Sequence, residues 1–191
     1  MAEIGMQYPV WAALESESNN TLVYGTGMVM GKAISGNLSW EKDDSELYGD
    51  DAVAETDNGI TGYTLDIGTT QLEETVEAAI LGYTKVGSTD EYEITGDGAP
   101  YGGTGYIRIL KRNGVRMYKA VWYPKIQFSA PNESSNTKQR NITWGTPVLS
   151  GKGLAVYDDN TGKAKFRKQQ VFTTLASAKA YLNGKANISA T

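Results

Sequence analysis

Around Asn113-Gly114 the chain carries two runs of strand-forming residues with a tight turn between them, "TGYIRILKRNGVRMYKAVWYPKI". Asn-Gly supplies the two positive-φ positions of a type I′ turn, the turn whose twist suits a two-residue hairpin. Folding the segment about that turn pairs Leu110 with Met117, Ile109 with Tyr118 and Ile107 with Ala120. One face then holds Ile107, Ile109, Tyr118, Ala120 and Trp122. The other holds Tyr106, Leu110, Met117, Val121 and Tyr123, interleaved with Arg108, Arg112 and Lys119. An antiparallel hairpin at a solvated surface keeps one face polar, and here both faces are apolar. Each face therefore needs a cover, from this chain or from another.

The same alternation of Val, Ile, Thr, Tyr and Trp with turn signals predicts strands at 31–40, 60–68, 125–130 and 140–149. A late hairpin joins "GLAVY" to "KAKFRKQ" through "DDNTG". Two helices interrupt the pattern. The main one, over about 70–82, takes Thr69 or Thr70 as N-cap, has an apolar stripe at Leu72, Val76, Ala79 and Ile80, and stops at Gly82. A shorter C-terminal helix, about 174–182, stops at Asn183-Gly184. At 191 residues the expectation is a single, mainly β domain of sandwich or barrel type spanning 1–191.

Charge is distributed unevenly. Residues 1–100 hold 19 acids and 3 bases, a net of −16, whereas residues 101–191 hold 3 acids and 15 bases, a net of +12. The densest part is "SWEKDDSELYGDDAVAETDNG", with Glu41, Asp43, Asp44, Glu46, Asp50, Asp51, Glu55 and Asp57 against Lys42 alone. It reads as a long acidic loop over about 41–59. The opposing bases Lys138, Arg140, Lys152, Lys163, Lys165, Arg167 and Lys168 form a candidate basic interface. The two halves can neutralise each other within one chain, or acidic and basic patches of separate copies can meet head to tail.

Several chemistries are excluded or disfavoured. Cysteine and histidine are both absent, which removes disulfides, thiolate nucleophiles, cysteine zinc sites and the usual general base near neutral pH. No window from Glu41 to Asp57 has EF-hand ligand spacing, and "DDNTGK" (Asp158–Lys163) reads as a turn. The glycine-rich "GTGMVMG" and "GDGAPYGGTG" lack the Lys-Ser/Thr of a P-loop and read as flexible or close-packed segments. With a pI near 5.0, binding of free duplex DNA by the basic half is weakly supported. The start lacks a basic leader, and no run of about 18 apolar residues could span a membrane, so the expectation is a chain made in the cytoplasm. No catalytic residues, metal ligands or cofactors are assigned.

In order and spacing, "IGMQYPVWAAL", "GKAISGNLSWEKDDSELYGDDAVAE", "ITGYTLDIGTTQLEETVEAAILGY", "GYIRILKRNGVRMYKAVWYPKIQF" and "TPVLSGKGLAVYDDNTGKAKF" follow a known pattern. The chain resembles the major tail proteins of long, non-contractile-tailed phages of Gram-positive bacteria, the phi13-like tail tube family. The most telling part is "LYGDDAVAE" (Leu47–Glu55) followed by a strand and the "LEETVEAAILG" helix (Leu72–Gly82).

The resemblance implies a non-enzymatic virion protein, assembled in the host cytoplasm, whose hexameric rings stack head to tail into a tube that conducts the genome. It implies an inner β-barrel shared among subunits, an outer helix, an N-terminal arm over 1–20 and the acidic segment 41–59 as an inter-subunit loop. Its implied partners are other copies of itself, a tape measure protein, tail terminator and distal tail proteins, and DNA in transit without specific binding. Tyr106, Arg108, Leu110, Met117, Lys119 and Val121 become candidates for the shared barrel. One departure stands out: many tail tubes line the lumen with acids, whereas this hairpin carries cations. The competing expectations are a monomeric carbohydrate-binding β-sandwich, with "PYGGTGY" and the tryptophans as sugar platform, and a glycosidase using two of the acids.

Overall fold

A computed structural model describes residues 2–18, 21–49, 52–89, 91–131 and 146–189, with the backbone alone described across 44–49 and 52–58. The chain runs β1 (Ala2–Ser18), β2 (Thr21–Tyr24), β3 (Met28–Val29), β4 (Ala33–Gly49), β5 (Ala52–Thr69), α1 (Glu74–Leu81), β6 (Thr84–Lys85) and β7 (Tyr92–Glu93). It continues with β8 (Tyr101–Arg112), β9 (Val115–Ser129), β10 (Val148–Gly153), β11 (Val156–Asp158), β12 (Lys163–Lys165), β13 (Lys168–Phe172) and α2 (Leu175–Ala186). The protein is mainly β, with one antiparallel sheet in the order β2-β1-β8-β9-β10-β5-β4; β13 also pairs with β9, and β3 with β1.

The Asn-Gly hairpin forms in the register its sequence dictates. Asn113 and Gly114 have φ of 49° and 81°, and Leu110 opposes Met117, Ile109 opposes Tyr118 and Ile107 opposes Ala120. Both faces are covered by the chain itself. Ile107, Ala120 and Trp122 lie beneath α2, packed with Val10, Ala12, Ala178, Leu182 and Ala186. Tyr106, Val121 and Tyr123 face the opposite way, into a cluster with Trp11, Leu65, Ile67, Leu149 and the α1 residues Val76, Ile80 and Leu81. Residues of β1 and β5 share that cluster although three strands separate them, so the sheet curls around it. Its ends approach without pairing: a Cβ on Gly36 of β4 would lie 2.5 Å from Met6 Sδ of β1. Among the described residues the curl stops short of a closed barrel.

Among the register shifts of the sheet, two bear on this curl. In β9, Thr104 opposes Tyr123 and Gly102 opposes Ile126, so Pro124 and Lys125 together face Gly103. The extra residue switches parity and returns Ile126 and Phe128 to the face of Val121 and Tyr123. A strand break expected before residue 125 is thus a bulge inside one continuous strand, and proline sits where no ladder N–H is required. In β1 one of the register shifts against β8 falls between Glu3 and Gly5, the other between Gln7 and Val10. Tyr8 occupies left-handed space there, φ 57°, an unfavourable place for an aromatic residue. Its hydroxyl donates to Asn183 Oδ1 at 2.9 Å, and Lys179 Nζ sits 4.7 Å from its ring centroid, so α2 holds the bulge in place.

Four expectations need correction. Residues 2–18 form β1 inside the sheet, paired with β2, β3 and β8, where an arm over 1–20 is expected. The acidic segment is a ribbon as far as Gly49 and again from Ala52: β4 and β5 pair out to Gly49 and Ala52, beyond the last β5–β10 pair at Tyr63 and Gly153. Ladder bonds need only backbone groups, so charge density alone does not force a loop. Helix α1 begins at Glu74 with Glu73 as N-cap, because Thr69 belongs to β5 and is buried; the Gly82 stop is as expected, at φ 77°. Helix α2 continues through Asn183-Gly184 to Ala186, with Asn187 as C-cap at φ 52°, since Leu182 and Ala186 extend its buried stripe. Packing outweighs the roughly 1 kcal/mol helix penalty of Gly184. Of the strand expected over 140–149, residues 140–145 lie outside the described residues, and β10 extends the remainder to Gly153.

The N-terminus of α2 is fixed by Thr174, whose Oγ1 accepts from Ser177 N at 3.2 Å. Thr174→Ala is expected to destabilise the fold by about 1 kcal/mol and to lower Tm by about 2–4 °C, read by thermal circular dichroism. An unchanged Tm would show that packing alone holds the helix start.

Candidate interaction surface

The acidic ribbon is a two-stranded extension of the sheet. Beyond Glu41 and Gly62, β4 and β5 pair only with each other among the described residues. At about 3.3 Å per residue, Lys42–Gly49 reaches about 25 Å. Asp44, Glu46, Glu55 and Asp57 lie on these strands; Asp50 and Asp51 lie outside the described residues. Glu41, at the root, pairs with Lys152 Nζ of β10 at 3.4 Å.

The two charged halves of the sequence meet in part within the chain. Glu3 pairs with Arg108 at 3.3 Å and Glu17 with Lys125 at 2.5 Å, each joining an acid of the first half to a base of the second, as Glu41–Lys152 does. These pairs are partly exposed and each contributes at most about 1 kcal/mol.

The expected basic interface is dispersed. Lys138 and Arg140 lie outside the described residues. Lys152 is committed to the ribbon root, and Arg167 stacks 5.3 Å from the Trp40 ring centroid. Lys163 and Lys165 sit on β12, where Lys165 pairs with Asp158. That carboxyl is held below its ordinary range, chiefly by Lys165. Asp158 also closes the β11–β12 turn, accepting from Asn160 N at 3.1 Å on its side chain and from Gly162 N at 2.7 Å on its carbonyl. "DDNTGK" is therefore a hairpin turn.

The candidate barrel hairpin is mostly interior. Tyr106, Val121 and Leu110 are buried. Arg108, Met117 and Lys119 are half-buried, with Arg108 donating to Tyr106 Oη at 3.0 Å. Lys119 is pushed below its ordinary pKa by burial and then by Arg167 and Arg108. Tyr106 and Val121 thus belong to this chain's own core and present nothing to a neighbour.

One feature has no local signal in the sequence. A cleft of about 480 Å³ opens between β2, β11–β13 and the end of α2, with Val23, Tyr24, Trp122 and Val156 among its apolar lining and Lys165, Lys168 and Lys185 around it. Lys168 is held below its ordinary pKa, first by burial and then by Lys185 and Lys165. Lys185 was not among the expected bases, because an isolated lysine near a helix end carries no pattern.

A sugar platform is poorly served by this arrangement. Trp11 and Trp122 are 1% exposed, Trp40 is half-buried and Trp144 lies outside the described residues; Gly102–Tyr106 are buried in β8, with Cβ positions on Gly102 and Gly103 falling within 2.5 Å of the Trp11 and Trp122 indole rings. Among the described residues no group of three or more His, Cys, Asp or Glu could hold a metal ion, and no helix is long and apolar enough to cross a membrane. In comparisons with known proteins, no family model and no curated sequence matches the chain.

Proposed function

We propose that this chain is the repeating subunit of a phage tail tube, a structural virion protein that assembles in the host cytoplasm into stacked hexameric rings and conducts the genome. The observation that carries the reading is the two-stranded acidic ribbon that extends β4 and β5 beyond the rest of a curled antiparallel sheet, with Lys165, Lys168 and Lys185 gathered around a cleft elsewhere on the chain. With no strand beside it among the described residues, the ribbon leaves two ladder edges unpaired, a hazard for a monomer and a resource for an assembly. Acidic and basic patches on different parts of one subunit make a heterologous contact, which propagates and so yields rings or filaments. The order of features shared with the tail tube family supports the same reading. A tape measure protein inside the tube and terminator and distal tail proteins at its ends are the partners it implies.

The test is size-exclusion chromatography with negative-stain electron microscopy across a concentration series. Rings or tubes of uniform diameter are the expected result. A strictly monomeric species at every concentration and salt would overturn the proposal. Asp50→Lys/Asp51→Lys is expected to abolish assembly and to leave the circular dichroism spectrum unchanged.

A further inference from the structure

The cleft between β2, β13 and α2 pairs two surface chemistries. Its lining mixes the two: Val23, Tyr24 and Tyr157 supply apolar surface over the buried Trp122 and Val156, and Lys165, Lys168 and Lys185 stand around them. Val23 and Tyr157 remain 46% and 67% exposed, unusual for large apolar side chains that already border a depression. Lys165 is matched by Asp158, whereas Lys168 and Lys185 have no carboxylate partner among the described residues. The site is therefore basic and incompletely covered.

The occupant must supply carboxylates and apolar side chains within a narrow element. The ribbon tip has that composition: "ELYGDDAVAE" places Leu47, Tyr48, Ala52 and Val53 among Glu46, Asp50, Asp51 and Glu55. Nucleic acid would match the lysines but leave the apolar walls unanswered, and the net charge of −4 opposes it. We infer that this cleft is the receptor for the acidic ribbon tip of a second copy of the chain, apolar residues entering the cleft and carboxylates meeting Lys168 and Lys185. The inference rests on the self-assembly proposed above and names the surface through which one copy holds the next.

The experiment compares the full-length chain with Lys168→Glu/Lys185→Glu by analytical ultracentrifugation, with circular dichroism to verify folding. The variant is expected to raise the concentration needed for assembly at least about tenfold, as loss of paired interfacial charges does. Adding Asp50→Lys/Asp51→Lys to it should restore assembly by exchanging the signs. Assembly of the double variant at the wild-type concentration would overturn the inference and leave the tail tube reading intact. Should the variant misfold, Lys168→Gln/Lys185→Gln gives the same comparison without introduced charge.

A second measurement separates the two ideas if the wild-type chain never assembles. A synthetic peptide of residues 39–59 is titrated into the full-length chain by calorimetry. Salt-sensitive binding that the lysine variant loses supports the cleft as receptor even as the tube reading fails; absence of binding overturns the inference. A DNA duplex that binds through the same lysines while the peptide does not also overturns it, in favour of a nucleic-acid site.

Discussion

Gly153→Ala is expected to be among the most damaging single-methyl additions in this protein. Gly153 opposes Tyr63 across the β5–β10 ladder, and a Cβ there would fall 1.8 Å from Tyr63 Cζ and 2.2 Å from both Cε atoms. The ring cannot step aside. It is fully buried, its hydroxyl donates to Lys125 O at 3.1 Å, and Tyr123 and Trp40 pack 5.2 Å and 5.7 Å away, centroid to centroid. Removing a glycine from a strand gains about 0.5–1 kcal/mol, whereas overpacking a core costs about 1–3 kcal/mol and more where nothing yields. The clash wins. A Tm lower by about 6–12 °C follows for a chain of this size. Tyr63→Leu in the Gly153→Ala background should recover part of the loss, a non-additivity diagnostic of direct contact. Gly184→Ala is the control. Nothing lies within 4 Å of a Cβ there, so helix propensity should raise stability by roughly 0.5–1 kcal/mol. Equal, small effects at the two glycines would show that the Tyr63 contact is not rigid.

Alkaline pH should unfold the chain steeply. Burial pushes Tyr24 up to about 12, and pushes Tyr63 and Tyr123 up as well. Each hydroxyl is engaged: Tyr24 donates to Pro124 O at 2.6 Å, Tyr63 to Lys125 O, and Tyr123 shares a 3.2 Å bond with Tyr106. An unfolded tyrosine ionises near 10. With the folded pKa raised above that value, the stabilisation is complete below pH 10 and is lost as pH rises from 10 towards 12. Three such groups release about three more protons on unfolding, which removes about 4 kcal/mol per pH unit. Lys119 and Lys168 act in the opposite sense, since their folded pKa values are depressed and the folded state gains as pH passes through their range. Both are partly exposed, so their contribution is the smaller. Unfolding between pH 10 and 12, with tyrosinate absorbance and loss of tertiary circular dichroism rising together, is the expected record. Tyrosinate absorbance growing gradually while the fold persists would contradict the burial of these phenols. Tyr24→Phe should make the transition shallower.

What sequence reveals here depends on the range of the interaction. The Asn113-Gly114 turn sets a register through two adjacent residues, and every pair read from it is present. The demand for a cover on both hairpin faces was legible for the same reason; that α2 and the curled sheet provide it was not, because Leu182 and Leu65 lie far along the chain. Residues 41–59 looked like a loop because carboxylates usually mark solvent, yet the β4–β5 ladder is bonded through backbone alone. Bulges at Tyr8 and Pro124 escape notice since each depends on the partner strand. The lysine-rimmed cleft draws on elements from Leu22 to Asn187 and has no compact motif. Bases that were grouped by sequence, such as Lys152 and Arg167, are engaged in unrelated contacts.

The position of β1 in the sheet has a consequence for how the protein is made. One edge of β1 can be met early by β2 and β3, but its long neighbour β8 ends at Arg112. At about 5–20 residues per second, the ribosome needs roughly 5–20 s to travel from Ser18 to Arg112. Throughout that interval the apolar run Val10–Ala13 waits with half its backbone unmatched. Nascent chains in that state are sticky, and non-local pairings of this kind are also slow to close. Yield in a heterologous host should therefore respond to translation speed, temperature and holding chaperones more than to the stability of the finished fold.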